Sequence, residues 1–345
     1  MKNGATTASA LAFTAAAVAA GLIVQASRRR TGTFQFEGKS VVITGGSRGL
    51  GLVLARQLAE QGARLALIAR DEDELRRAAH GIREEHPSVD LLTVAADVRH
   101  QADVEQAVQE IVRTHGRIDV LINNAGVINV GPMEHMRVSD YEDAMKTHFW
   151  GPLFMVLATV PHMRRQGGGR IVNISSVGGR VAVPHMLPYS ASKFALVGLS
   201  DGLRAELAGD GIVVTTVCPG LMRIGSALRA SFKGQQDDEY FWFALASMLP
   251  LTTVSAERAA GQIIAACRRG DAELVISLQA RVAVLARTMA PELFADLMSL
   301  VHRVLPSPVG REGDMAESGR HIDSREGRSS LLAPMYAVAQ QNNEA

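Results

Sequence analysis

Between Gly38 and Ile276 short apolar, β-rich runs alternate with longer segments of helical spacing, and this alternation limits the fold more than any other feature. The runs are Ser40–Thr44, Arg64–Ala69, Asp90–Ala95, Val120–Asn123, Arg170–Ile174, Val213–Cys218 and Glu273–Ile276. Between them Leu50–Gln61, Glu72–His86, Gln101–His115 and Tyr189–Ala208 carry apolar residues at helical intervals. Strands that succeed one another through helices pair in parallel by right-handed crossovers. The runs are apolar almost without interruption, as strands must be when helices cover both faces. The expectation is an α/β fold, a Rossmann-type doubly wound parallel sheet of about seven strands with helices on both faces. Ligands of such sheets bind beyond the carboxyl ends of the strands.

That pattern, taken as a domain over 38–278, leaves part of the 345 residues over. No charge occurs from Asn3 to Ser27, Ala8–Ala26 is mainly alanine, and Arg28, Arg29 and Arg30 follow. The stretch is just long enough to span a bilayer. Its stronger positive charge comes after the apolar part, the reverse of a secretory signal, and would keep the rest of the chain on the cytoplasmic side. Residues 1–37 are therefore expected to form a leader acting as a transmembrane anchor, with a membrane-associated catalytic domain facing the cytoplasm. A disordered alanine-rich leader, a transit-like segment and a cleaved signal peptide are the other readings. Over 279–305 Val282, Leu285, Met289, Leu293, Leu297 and Leu300 recur at helical spacing, broken at Pro291. Two amphipathic helices are expected there, as a membrane-proximal pad or as the contact of a homodimer or homotetramer. From 306 to 345 prolines and glycines are scattered among polar residues, which predicts a mostly disordered tail with a short helix near Leu331–Val338. The 36 basic and 35 acidic residues balance, which argues against a nucleic-acid partner. Two cysteines, Cys218 and Cys267, cannot build a disulfide framework. The histidines form no metal-binding pattern, so no metal is expected.

The run Thr44-Gly45-Gly46-Ser47-Arg48-Gly49-Leu50-Gly51 joins the first strand to the first helix. Glycines there let the backbone turn tightly and approach a pyrophosphate, and the helix N-terminus offers free N–H groups. Cofactor choice is set near the end of the second strand, where an acid binds a ribose 2′-hydroxyl and an arginine a 2′-phosphate. Ala69 stands where the acid is sought and Arg70 follows. Arg48 adds a second guanidinium. NADP(H) is preferred on this ground, with NAD(H) left open because Asp71 could serve as the ribose acid.

Tyr189 and Lys193 lie four apart and share a helix face. A free tyrosine titrates near ~10, and a neighbouring ammonium would lower that value, which suits acid–base work on an alcohol or ketone. Ser176 lies thirteen residues before Tyr189 at a predicted strand end, and Asn123-Asn124-Ala125-Gly126 ends another strand. With the Gly-rich turn, these residues make the chain resemble the short-chain dehydrogenase/reductase family over about Gly38–Ile276. Asp97-Val98 looks like the family's adenine-contacting pair, and Pro219-Gly220 like its segment after the sixth strand. The resemblance implies that Tyr189 exchanges a proton with the substrate oxygen and Ser176 hydrogen-bonds the same oxygen. It implies that Lys193 tunes Tyr189 and holds the nicotinamide ribose. Cofactor contacts are expected from Thr44, Gly45, Ser47, Arg48, Gly49, Leu50, Gly51, Arg70, Asp97, Val98, Asn124, Ala125, Gly126, Pro219 and Gly220, and from Tyr189 and Lys193 themselves.

Two departures stand out. His148 takes the place of the asparagine that in the family holds a water of the proton path, so the relay would become pH-sensitive, unless His148 is a packed helix residue. Ile224 stands where a threonine often bonds the cofactor. After Gly220 the lid segment 221–255, which in the family covers the substrate, carries Phe232, Tyr240, Phe241, Trp242 and Phe243, which favours a lipophilic small-molecule substrate, with core packing and contact with a membrane or partner as the alternatives. The expected function is NADP(H)-dependent interconversion of an alcohol and a ketone or aldehyde. A catalytically weakened dinucleotide-binding or scaffolding protein, and an epimerase or dehydratase on the same fold, are the competing readings.

Overall fold

The computed structural model describes residues 34–249, 253–326 and 333–344. The expected membrane anchor falls on residues 1–33 and lies outside the described residues. Seven strands, β1 (Ser40–Thr44), β2 (Arg64–Ala69), β3 (Leu91–Ala95), β4 (Val120–Asn123), β5 (Gly169–Ile174), β6 (Ile212–Pro219) and β7 (Glu273–Ile276), form one sheet in the order β7-β6-β5-β4-β1-β2-β3. Every pairing in it is parallel.

Successive strand residues point to opposite faces, and both faces are buried. Val41 and Ile43 of β1 pack under helices α1 (Gly49–Glu60), α2 (Glu72–Glu85) and α8 (Ala256–Arg269). Val42, between them, packs on the other face against α3 (Gln101–His115) and α5 (Gly151–Arg165). α6 (Leu187–Glu206) lies on that second face, where Leu203 joins the same cluster. α4 (Val138–Met145) runs into α5 through a π-helical turn, Lys146–Trp150. The strand order reverses between β1 and β4, and there the carboxyl ends open a crevice.

A third cluster lies beyond that edge. Phe232, Tyr240, Phe243 and Ala244, with α7 spanning Gln236–Met248, pack on Val130, Ile322, Met335 and Ala339. Most lid aromatics are thus core residues, and Trp242 and Phe243 also line the crevice. The last three residues of the cluster come from the segment expected to be mostly disordered, and that expectation is corrected. The segment contains a strand pair to Ser231–Phe232 at Glu317–Ser318, helix α11 (Gly319–Glu326) and helix α12 (Ala333–Gln341). Its Ile322, Met335 and Ala339 are fully buried, and the hydroxyls of Tyr240 and Tyr336 share the carboxylate of Asp323. α9 (Leu278–Met289) and α10 (Pro291–Val304) stand apart, with Val282, Leu285, Met289, Leu293, Leu297 and Leu300 exposed. Among the described residues no helix is long and apolar enough to cross a membrane.

Phe232 joins lid and C-terminal segment without any solvent exposure. Phe232→Ala is expected to lower unfolding free energy by about 3 kcal/mol in urea titration, the usual cost of emptying such a site.

Candidate active site

The crevice encloses ≈ 870 Å³ and runs from the Gly-rich turn to Tyr189. The turn is built by close backbone contact. A Cβ on Gly51 would collide with the Gly45 carbonyl oxygen, and Gly45 itself has φ +65°. The turn is tied to β4 by Asn124, whose side-chain amide donates to the carbonyls of Thr44 (3.1 Å) and Gly45 (3.2 Å). The backbone N–H groups of Asn124 and Ala125 both reach the Thr44 hydroxyl oxygen, at 3.0 and 3.1 Å. Thr44 and Asn124 therefore act first on the protein's own backbone.

Near the Gly-rich turn Arg48 and Arg229 are already paired. Arg48 makes a two-oxygen contact with Glu74 (2.8 and 2.9 Å), Ser47 donates to the same carboxylate (3.2 Å), and Arg229 lies 3.1 Å from it. Glu74 and Arg229 carry no sequence signal, because residues far apart in the chain meet only in the fold. Arg70 is exposed on the rim. Asp71 caps α2 by accepting the Glu74 N–H with Oδ1 (2.9 Å), which holds its carboxyl below the ordinary value. Asp97 is paired with Arg99 (2.7 Å), and Val98 packs against Gly151. Gly220 closes on β7, its N–H donating to the Ile276 carbonyl (3.1 Å).

At the other end β5 delivers Ser176, and α6 delivers Tyr189 and Lys193. Ser175, the neighbouring hydroxyl, is buried and donates to the Lys193 carbonyl (3.0 Å), whereas Ser176 faces the crevice and accepts the Gly178 N–H (3.0 Å). The Lys193 ammonium donates to the Ile174 carbonyl (2.9 Å) and sits 5.8 Å from the centre of the Tyr189 ring. Burial pulls Lys193 down to about 7. Burial also raises Tyr189, and a hydrogen bond with Ser176 works against it. The expected lowering of Tyr189 by the ammonium is not found: loss of solvation, which disfavours every charged form, shifts the phenol upward, and the opposing contribution comes from Ser176.

His148 is fully buried in the π-helical turn. Its Nε2 accepts the Val127 N–H (3.1 Å), so Nδ1 carries the proton and donates to Ser192 Oγ (2.8 Å). Burial, then Lys193, push its pKa well below the ordinary value. The expected pH-sensitive relay is corrected on this point: the ring stays neutral near physiological pH and both nitrogens are engaged. Ile224 lines the crevice and packs against the core. Among the described residues no three His, Cys, Asp or Glu are grouped to hold a metal.

Residues 39–236 match the family described as short chain dehydrogenase. The chain belongs to that family. As a short-chain dehydrogenase it is an oxidoreductase acting on CH–OH groups. It is 34% identical over 257 residues, 74% of this chain and 82% of the relative, to 11-beta-hydroxysteroid dehydrogenase-like 4A of Arabidopsis thaliana. A short-chain dehydrogenase/reductase of Burkholderia phymatum in complex with NAD superposes with a TM-score of 0.69 at 26% identity, covering 75% of this chain and 96% of that one. L-sorbose reductase of Gluconobacter frateurii, complexed with NADPH and L-sorbose, gives 0.63 at 26% identity over 71% and 97%.

Lys193 has a lower pKa in the folded dehydrogenase than its ordinary 10.5. Between about 7 and 10.5 the unfolded chain binds more protons, so stability rises with pH in that window and is lost as pH falls through 7. From pH 7 to 9 the wild type is expected to gain roughly 1–2 kcal/mol relative to Lys193→Met, read from urea midpoints at each pH.

Proposed function

We propose that this oxidoreductase transfers hydride between NADP(H) and a lipophilic alcohol or its ketone, using Tyr189 as the proton-exchanging group. The observation that carries this is the meeting of Ser176, Tyr189 and Lys193 at one end of a crevice whose other end holds the Gly-rich turn, Arg48, Arg70 and Arg229. The cradle of Gly45, Gly49 and Gly51 has the close backbone approach a pyrophosphate needs, and the residues fit a nicotinamide dinucleotide. That group, when bound, supplies or accepts the hydride.

The protein's own part is proton management and positioning. Tyr189 gives its phenolic proton to the carbonyl oxygen in reduction and takes it back from the hydroxyl in oxidation. Ser176 donates a hydrogen bond to the same oxygen and stabilises the charge that develops there. Lys193, fixed by the Ile174 carbonyl, holds the ribose and brings positive charge toward the phenol. His148 acts as a positioning residue: it ties the loop after β4 to α6 through Val127 and Ser192, and its ring meets that of Tyr189 edge-on at 5.4 Å. Val183, Met186, Trp242 and Phe243 line the crevice near Tyr189, which supports an apolar substrate, as does the likeness to the hydroxysteroid dehydrogenase-like relative. The exposed apolar residues of α9 and α10 support contact with a membrane surface.

Tyr189→Phe is expected to reduce kcat by about 10³-fold while NADPH binding, followed by its fluorescence, stays unchanged. Retained turnover would sink the assignment. NADPH should be used in preference to NADH, and Arg48→Ala should cut that preference by about tenfold in kcat/KM. Equal use of both cofactors by the wild type removes the case for NADP(H).

A further inference from the structure

The residues that follow α12 lie against the Gly-rich turn, and Glu344 lines the crevice. The Asn342 carbonyl accepts the backbone N–H of Gly49 (2.8 Å), the first residue of α1. The Asn343 amide donates to the carbonyls of Ser47 (2.9 Å) and Glu74 (3.2 Å), and its oxygen accepts from Arg77 (3.1 Å). Asn343 reaches this position with φ +57°, a left-handed backbone that asparagine tolerates better than most residues. The Glu344 side chain is buried; its carboxylate accepts the Gly225 N–H (2.5 Å) and lies 2.9 Å from where a Cβ of Gly49 would stand. The Glu344 carbonyl accepts from Arg229 (3.0 Å) and Arg320 (3.1 Å). Arg48 and Arg229 favour the charged carboxylate, Glu74 opposes it, and burial dominates, raising its pKa to about 7.

A helix-opening N–H and the guanidinium of Arg229 are groups an anionic phosphate would use. Here they are engaged by the backbone carbonyls of Asn342 and Glu344, with the Glu344 carboxylate beside them. We propose that residues 342–344 form an intramolecular strap that takes the place of the cofactor's phosphates and must leave the cradle before the dinucleotide can bind. This rests on the dinucleotide reading above. A pyrophosphate and the Glu344 carboxylate cannot share the space above Gly49, and two anions there would repel. The strap can lift without unfolding the domain, because Met335 and Ala339 hold α12 in the third cluster one turn earlier. Ligand affinity falls in proportion to the fraction of molecules open for binding. The strap therefore sets the cofactor concentration at which the enzyme becomes active, without touching the reacting groups.

The test compares the full chain with a variant terminated after Gln341 and with full-length Glu344→Lys, which sets a cation against Arg48 and Arg229 should the shortened chain fold poorly. NADPH dissociation constants are measured by fluorescence, and backbone hydrogen exchange over 335–344 is followed with and without NADPH. Both variants are expected to bind NADPH about tenfold more tightly, as release of a strap docked ~90% of the time requires. In the full chain NADPH should speed exchange at 342–344. Unchanged or weaker binding by the variants, or tail amides that become more protected with NADPH, overturns the strap. Absence of NADPH binding by all three forms overturns the dinucleotide reading itself and the strap with it.

Discussion

Burial of both faces of a parallel sheet is the constraint on which everything else in this protein depends. Inside the sheet each backbone N–H and C=O is committed to a neighbouring strand, and each side chain to a helix packed above or below. A polar ligand can meet free backbone groups only where strands stop and helices start. The site is assembled along that one edge, from the turn after β1, the exit of β4, the end of β5 and the first turns of α6. The polar residues just inside the edge bond to one another: Asn123 donates to Asn173, Asn173 to Ser200, and Thr216 to Ser200. These bonds run across β4, β5 and β6 and hold the strand ends level with each other, so that Ser176 and Lys193 meet.

The same edge explains why pairs of charges there cannot be read one residue at a time. Arg48 looks like a free phosphate ligand in the sequence, yet in the fold it is half of an ion pair with Glu74, and Arg229 shares that carboxylate. A phosphate arriving at Arg48 or Arg229 would exchange partners with an existing carboxylate. Burial acts in the same direction at the other end, where Lys193 and Tyr189 are both shifted toward their uncharged forms in the free protein.

The strands, the order of the helices and the Ser176–Tyr189–Lys193 group were legible in the sequence because each depends on local pattern: near-continuous apolar runs, helical spacing, and motifs at strand ends. What escaped depends on contacts between distant segments. The order of the residues after Pro306 rests on isolated side chains such as Ile322, Met335 and Ala339, which show no period yet are fully buried beneath the lid. The lid aromatics suggested a substrate surface, but Phe232 and Tyr240 face this same C-terminal segment. Asp71 was read as a ribose ligand in reserve; its proximity to a helix start turned it into a cap. His148 was recognisable as unusual, while its two hydrogen bonds depend on Val127 and Ser192 coming together across the crevice.

The π-helical turn at Lys146–Trp150 makes this part of the chain sensitive to length. A π turn holds one residue more than an α turn, and each residue rotates a helix by about 100°. α4 and α5 thus form a continuous rod whose two halves are out of phase, and His148 meets Val127 from within that offset. Removing one residue from the turn would restore a regular helix, swing His148 off the loop after β4, and rotate α4 relative to the α5 face that packs on the sheet. Substitutions at exposed Trp150 leave this offset intact, whereas a single-codon deletion erases it, so the segment can drift in composition but is locked in residue count.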